Sequence, residues 1–167
     1  LNENVDFLIS VGGDGSFLKA LTIVKDTYVP IIGLNTGRLG FLTSLGKESI
    51  ELGLNQLLKS EFKISKRCLL EVYSNKLDKN FFGFNYALNE VSVSRKNTAS
   101  LISISAELNG IPLATYWADG LIIATPTGST GYSLSSGGPV MTPESSSFVL
   151  TPIAAHNINI RPLIVND

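Results

Sequence analysis

Gly12-Gly13-Asp14-Gly15-Ser16 places one carboxylate in a run of glycines, between an apolar segment over Val5 to Ile9 and another over Phe17 to Val24. Glycines at the end of a strand let the backbone approach a pyrophosphate closely and turn N–H groups toward it. A helix that follows adds its positive end. Asp14 is the odd residue there, because a carboxylate beside phosphates is unfavourable unless it has work to do. It can accept a proton from an attacking hydroxyl, or bind a metal ion that bridges phosphates. The competing reading is an ordinary strand-to-helix turn with Asp14 as a cap. The loop is neither GxxxxGK[ST] nor GxGxxG.

Far downstream, Thr125-Pro126-Thr127-Gly128-Ser129-Thr130-Gly131-Tyr132 combines hydroxyl side chains with two glycines, again after an apolar run. Phosphate or ribose hydroxyls are natural partners for it; a hydroxyl-rich helix cap is the plainer alternative. Together the two loops are more specific than either, and we expect them to make one phosphate-handling site. Asn89-Glu90 sits where an alternating pattern breaks. It can read a base edge and hold a ribose or a metal, or be a solvated bulge. Asp119-Gly120 reads by default as a turn. His156, the only histidine, reads as a surface or satisfied side chain, and no Ser/His/Asp triad follows from the spacing.

These residues need elements to hold them. Residues 5–11 predict a buried strand. Ser16 is placed to cap a helix carrying Phe17, Leu18, Ala20, Leu21 and Val24. Pro30 to Leu34 predicts a second strand, residues 35–41 a loop, and Ile50, Leu54, Leu57 and Leu58 one face of a helix over 48–59. Strand, helix, strand, helix is the order of a parallel, doubly wound unit. Two strands and two helices bury little, so further strands are expected before Leu1. After Ser60 the apolar period changes to two. Phe62, Ile64, Cys68, Leu70 and Val72 predict a strand with one wet face, residues 76–80 a polar turn, and Phe82, Phe84, Tyr86 and Leu88 another apolar face. At Asn89-Glu90 the parity flips to Val91 and Val93, which requires a bulge or a break. Asn109-Gly110 between alternating runs predicts a hairpin. Leu121 to Ala124 predicts a buried strand, 130–136 a helix stopped at Gly137-Gly138-Pro139, and 148–155 and 163–165 further strands. The boundary falls near residue 60, giving an α/β piece over 1–60 with the phosphate loop and a β-rich piece over 61–167.

Of the 167 residues, 44% are apolar and 16% charged, which is globular composition. A net charge of -1 without a block of like charges argues against nucleic acid as a partner. Backbone amides still allow a small anion. Cys68 is the only cysteine, so an internal disulfide is excluded and a reducing, cytoplasmic setting is expected. One cysteine and one histidine do not make a zinc site. No apolar run approaches the ~20 residues of a membrane span, so no membrane partner is expected. The chain starts at Leu1 without a signal peptide and reads as a piece of a longer protein.

Gly12-Gly13-Asp14-Gly15, Asn35-Thr36-Gly37-Arg38-Leu39-Gly40-Phe41, Asn89-Glu90, Ala118-Asp119-Gly120 and the long run from Thr125 to Pro139 resemble the signature set of the NAD kinase family, in the family's order. The long run is highly specific. The first motif is shared with 6-phosphofructokinases and with diacylglycerol and sphingosine kinases. The resemblance implies transfer of the γ-phosphoryl of ATP, or of polyphosphate, to the 2′-hydroxyl of the adenosine ribose of NAD, giving NADP. It implies a divalent cation, usually Mg²⁺, and a homodimer or homotetramer whose partners are small-molecule nucleotides. The implied fold is a Rossmann-like α/β N-terminal domain, here truncated at its start, and a β-sandwich-like C-terminal domain, here truncated at its end, with the active site between them.

By position, Asp14 resembles the general base, and Gly12, Gly13 and Gly15 the phosphate-loop glycines. Phe41 resembles an aromatic near the adenine, and Asn89 and Glu90 the pair that holds the adenosine part of NAD. Asp119 resembles an acid that reaches the nicotinamide end from a neighbouring subunit. Thr127, Thr130, Gly131, Tyr132 and Ser135 resemble the NAD-lining loop, with Tyr132 near the adenine side. Ala154 and His156 fall in a segment that completes the site of other subunits. The resemblance names no metal ligand in this chain. Ala155 stands where the family commonly has proline, and Ala124 where it has a small hydroxyl residue. Two other readings share parts of the pattern: a lipid or sugar kinase of the same superfamily, and a non-catalytic NAD(P)-binding module.

Overall fold

The computed structural model describes residues 5–25, 27–37, 40–43, 45–75, 84–96 and 100–167. The chain divides into two compact units, Leu1–Ser65 and Lys66–Asp167.

In the first unit, β1 (Leu8–Val11) leads into α1 (Asp14–Val24), then β2 (Ile31–Leu34) and α2 (Ile50–Leu58). β1 and β2 pair in parallel from Leu8 opposite Ile31 to Val11 opposite Leu34. Parallel neighbours need a crossover, and α1 supplies it. It buries Ala20 and Val24. The helix begins three residues earlier than a Ser16 cap would allow. Gly13, in extended conformation, is the N-cap, and no side chain bonds the helix start. The amides of Ser16 and Phe17 both donate to the Gly13 carbonyl, at 3.0 and 3.2 Å, so Ser16 lies inside the first turn. On α2, Ile50, Leu54 and Leu57 are half-buried, whereas Leu58 is exposed.

The second unit contains β3 (Leu70–Glu71), β4 (Tyr86–Ala87), β5 (Glu90–Ser94), β6 (Ile102–Leu108), β7 (Ile111–Ala118), β8 (Gly120–Ala124), α3 (Tyr132–Ser135), β9 (Ser147–Ile153) and β10 (Leu163–Asn166). The expected strand over 62–72 is reduced to the two residues of β3, paired with β4. Residues 61–69 form no ladder with any described strand, and Ile64 is exposed. Alternation licenses a strand only where a partner supplies hydrogen bonds and a surface covers the dry face. The polar turn expected over 76–80, and Phe82, lie outside the described residues.

A four-stranded antiparallel sheet in the order β10-β9-β8-β5 forms the centre of this unit. β8 is covered on both faces. Ile122 and Ala124 pack with Met141 and Val149 on one side; Leu121 packs with Tyr116 and Leu150 on the other, together with Ile104 and Leu113 of the β6–β7 hairpin. Burial on both faces explains the unbroken apolar run of this strand. Asn109 and Gly110 take positive φ, 53° and 79°, the backbone that a two-residue hairpin turn requires. The parity flip at Asn89-Glu90 is a change of sheet: β4 pairs with β3, and β5 pairs with β8. Asp119 is a corner and not a hairpin turn. It joins β7 to β8, with its N–H donating to the Ile153 carbonyl and its carbonyl accepting from the Arg95 N–H, both at 2.9 Å. A short 3-10 turn over Thr127–Thr130 precedes α3, and Gly137, at φ 87°, follows it. No described helix is long and apolar enough to cross a membrane.

Candidate functional site

The first unit holds Asp14 at the start of α1. Gly12 has φ 142°, and a Cβ there would run into the Ser16 hydroxyl, so packing and backbone both demand glycine. Gly13 and Gly15 differ: both are exposed, and a Cβ on either would meet nothing within 4 Å. Their backbone is open to an approaching ligand. The Asp14 carboxylate does not cap its own helix. It reaches the loop after β2, where Oδ2 accepts the N–H of Phe41 at 2.9 Å and Oδ1 accepts the N–H groups of Leu42 and Thr43 at 3.1 and 3.3 Å. The Thr43 hydroxyl adds a bond to Oδ1 at 3.4 Å. A Cβ on Gly40 would land on this carboxylate, so the loop closes over Asp14 only because residue 40 is glycine. The Phe41 ring is 83% exposed, an apolar surface beside the carboxylate. Behind it, buried Asn35 donates from Nδ2 to the buried Thr43 Oγ1 at 2.8 Å.

In the second unit two motifs meet main chain to main chain. The Thr125 N–H donates to the Asn89 carbonyl at 2.9 Å, and the Thr125 hydroxyl donates to the Leu88 carbonyl at 2.5 Å. Gly128 donates its N–H to Thr125 Oγ1 at 3.1 Å, and a Cβ on it would fall on the Asn89 carbonyl. Buried hydroxyls are spent inside the fold. Ser129 donates to the Pro126 carbonyl at 2.7 Å and accepts the Met141 N–H at 2.9 Å; Ser133 and Thr151 share a 2.8 Å bond. Thr127 and Thr130 are half-buried, and Gly131, Tyr132 and Ser135 are exposed. The loop therefore divides into buried side chains that build it and side chains, those of Thr127, Thr130, Tyr132 and Ser135, that keep some exposure.

Glu90 stands out within this unit. Its Oε2 is buried and has no hydrogen-bond partner among the described residues. Burial pushes its carboxyl above the usual carboxylate range. A Cβ on Gly131 would lie 3.0 Å from that oxygen, so the glycine leaves space beside it. A buried acceptor without a donor requires an explanation, and an incoming hydroxyl or amide would supply one.

Two family models match the chain: the ATP-NAD kinase N-terminal domain over residues 1–62 and the ATP-NAD kinase C-terminal domain over residues 88–167. An NAD kinase of Flavobacterium psychrophilum is 52% identical over 167 residues, which is 100% of this chain and 57% of that protein. One from Bacteroides fragilis is 45% identical over 166 residues, 99% of this chain and 57% of the relative. The chain belongs to the NAD kinase family.

Among solved structures, the yeast NADH kinase complexed with NADH superposes with a TM-score of 0.83 at 31% identity, over 97% of this chain and 48% of that one. An NAD kinase from Archaeoglobus fulgidus in complex with ATP gives 0.81 at 36% identity, over 98% and 62%. The chain spans 55% to 57% of the length of the curated relatives it matches.

The remaining residues that the NAD kinase pattern singles out are not all in one place. Glu90 pairs with Ala124 at one end of β8, whereas Asp119, Ala154 and His156 gather near Gly120 at the other. Four residue steps along the strand separate the two ends by roughly 13 Å. At that far end Asp119 forms a 2.9 Å salt bridge with Arg95. Ala154, exposed, takes φ 47°, a left-handed conformation uncommon for alanine. His156 is exposed, with its N–H donated to the Trp117 carbonyl at 2.7 Å. Reading by sequence missed four residues. Asn35 and Thr43 stand behind Asp14, and only Asn35, within the Asn35–Phe41 motif, carries a signal in the sequence. Gly128 lies in the hydroxyl-rich loop, where nothing local sets it apart from Gly131. Arg67, whose Nη1 donates to Thr127 Oγ1 at 3.4 Å, carried no signal in an alternating stretch.

Among the described residues no three His, Cys, Asp or Glu side chains group to hold a metal ion. The described donors do not by themselves make a resident metal centre.

Proposed function

We propose that the protein to which this chain belongs is an NAD kinase, moving the γ-phosphoryl of ATP to the 2′-hydroxyl of the adenosine ribose of NAD and releasing NADP and ADP. The reading is carried by the Oε2 of Glu90, buried and without a partner among the described residues, beside Gly131 of the hydroxyl-rich loop. A ribose hydroxyl is a donor of the right kind for that oxygen. The names of the relatives agree with it, and ATP and a nicotinamide nucleotide are the molecules bound in the two solved neighbours.

In this reading Asn89 and Glu90 hold the adenosine part of NAD, with Thr127, Thr130, Gly131, Tyr132 and Ser135 lining it and Phe41 beside the adenine. The open backbone at Gly13 and Gly15, together with Gly12, cradles the phosphates of ATP, which enters as its Mg²⁺ complex. Asp14 accepts the proton of the 2′-hydroxyl as that oxygen bonds the γ-phosphorus. The bond from phosphorus to the bridging oxygen breaks, and ADP leaves. Phosphoryl transfer asks the protein mainly for positioning and charge stabilisation, which these loops supply. Asp119, Ala154 and His156 lie at the far end of β8 from the same chain's Glu90. We assign them to a neighbouring subunit's site in a homodimer or homotetramer. A free Cys68 and a net charge of -1 suit a cytoplasmic enzyme of nucleotides better than a partner of nucleic acid.

Incubation of the full-length protein with NAD, ATP and Mg²⁺ should yield NADP, and a parallel incubation with polyphosphate reads out the donor. A folded protein that makes no NADP overturns the reading.

A further inference from the structure

We propose that Asn35 and Thr43 are positioning residues that hold the Asp14 carboxylate in one orientation, so that Oδ2 is the atom that takes the proton; this rests on the reading of Asp14 as the base. The two oxygens of that carboxylate are not equivalent. Oδ1 accepts from the Leu42 and Thr43 N–H groups at 3.1 and 3.3 Å and from the Thr43 hydroxyl at 3.4 Å. Among the described residues, Oδ2 accepts only the Phe41 N–H, at 2.9 Å. An ionised carboxylate has about two acceptor positions on each oxygen. The described donors crowd Oδ1 and leave Oδ2 with an open lone pair.

The direction of the hydrogen bonds behind Oδ1 follows from the chemistry of each group. The Gly37 N–H donates to Asn35 Oδ1 at 2.7 Å, which fixes the orientation of the amide. Asn35 Nδ2 must then be the donor to Thr43 Oγ1, at 2.8 Å. With one lone pair taken by Asn35, the Thr43 hydroxyl turns its only proton to Asp14. Asn35 and Thr43 are 1% and 2% exposed, so water does not compete along this chain of bonds. The main chain of Asn35 is also pinned, its N–H donating to the Leu45 carbonyl at 2.7 Å. Rotation of the carboxylate would exchange Oδ1 and Oδ2, and the Thr43 hydroxyl opposes it. The 3.4 Å bond is long, as catalytic hydrogen bonds often are before substrate binds. When the ribose oxygen bonds phosphorus and the bridging bond breaks, its proton passes to the open position on Oδ2.

The test is steady-state kinetics of the full-length protein with NAD and ATP·Mg²⁺. Thr43→Val keeps the shape of the side chain and removes the hydroxyl. It should lower kcat by roughly ten- to a hundredfold while KM for NAD stays within about twofold. Thr43→Ser should restore most of kcat, which a purely space-filling role would not require. In an Asp14→Asn background, Thr43→Val should add no further loss, because the two groups act as a unit. If Thr43→Val does not fold, Thr43→Cys, close in size with a weak S–H donor, is read in the same way. Unchanged kcat in the Thr43 variant beside an inactive Asp14→Asn overturns the positioning role and leaves the base in place. A raised KM with unchanged kcat also overturns it. A fully active Asp14→Asn overturns both.

Discussion

Glu90 is the residue at which one atom makes the strongest demand. Its Oε2 is buried without a donor among the described residues, and burial raises its pKa. In the unfolded chain the same carboxyl titrates in the ordinary range. Between that range and the raised value, the folded protein therefore binds more protons than the unfolded one. Glu90 contributes stability at low pH that is lost as pH rises through its folded value. Unfolding of the ligand-free protein should show this dependence, and Glu90→Gln should remove it. A ribose hydroxyl donating to Oε2 favours the ionised form, so NAD binding should release protons in the same window. Calorimetry in buffers of different ionisation enthalpy measures that release, and none in the wild type would leave Oε2 without its ribose partner. Glu90→Gln should weaken NAD binding by about tenfold or more, since a hydrogen bond to a charged group is worth about 1.5–3 kcal/mol.

At the scale of elements, the glycines sort into those that packing requires and those that it does not. Gly128 lies against the Asn89 carbonyl, and a Cβ there has no room. Gly128→Ala should cost about 1–3 kcal/mol in denaturant unfolding and loosen the loop from Asn89-Glu90. Gly15 is inside α1 with open space around it. Alanine there should leave stability unchanged or raise it by up to about 1 kcal/mol, because glycine is a poor helix residue. The same Gly15→Ala variant should bind ATP more weakly. A variant that gains stability and keeps its KM for ATP would show that the glycine serves no phosphate. Much at this scale was legible beforehand. The Asn109-Gly110 hairpin, the buried run of β8 and the break at Asn89-Glu90 follow from local periodicity and turn chemistry, which act over a few residues. The strand over 62–72 did not, because pairing depends on a partner that the alternating residues do not specify. Ser16 fits the sequence pattern of a cap, yet the extended backbone of Gly13 starts the helix earlier.

For the whole molecule, the separation along β8 carries the prediction. Asp119, Ala154 and His156 lie at the opposite end of the strand from the Glu90 cluster of their own chain. The protein should run as a homodimer or homotetramer in light scattering. Subunits bearing Asp14→Asn and subunits bearing Asp119→Asn should each be impaired alone. Mixed under conditions of subunit exchange, they should recover part of the turnover; no recovery would place Asp119 outside its neighbour's site.

The order of the motifs, the change from an α/β to a β-rich chain and the glycine loops were set by residue type and spacing alone, because strand and helix periods and turn chemistry are local. Tertiary structure decided what those residues touch. Asp14 turns from its own helix to the amides of Phe41, Leu42 and Thr43, residues 27 to 29 positions away, and Gly128 meets the carbonyl of Asn89. Such pairings arise where chain segments far apart in sequence pack side by side. That packing also buries Asn35 and Thr43 behind the carboxylate and leaves the Oε2 of Glu90 without a partner among the described residues.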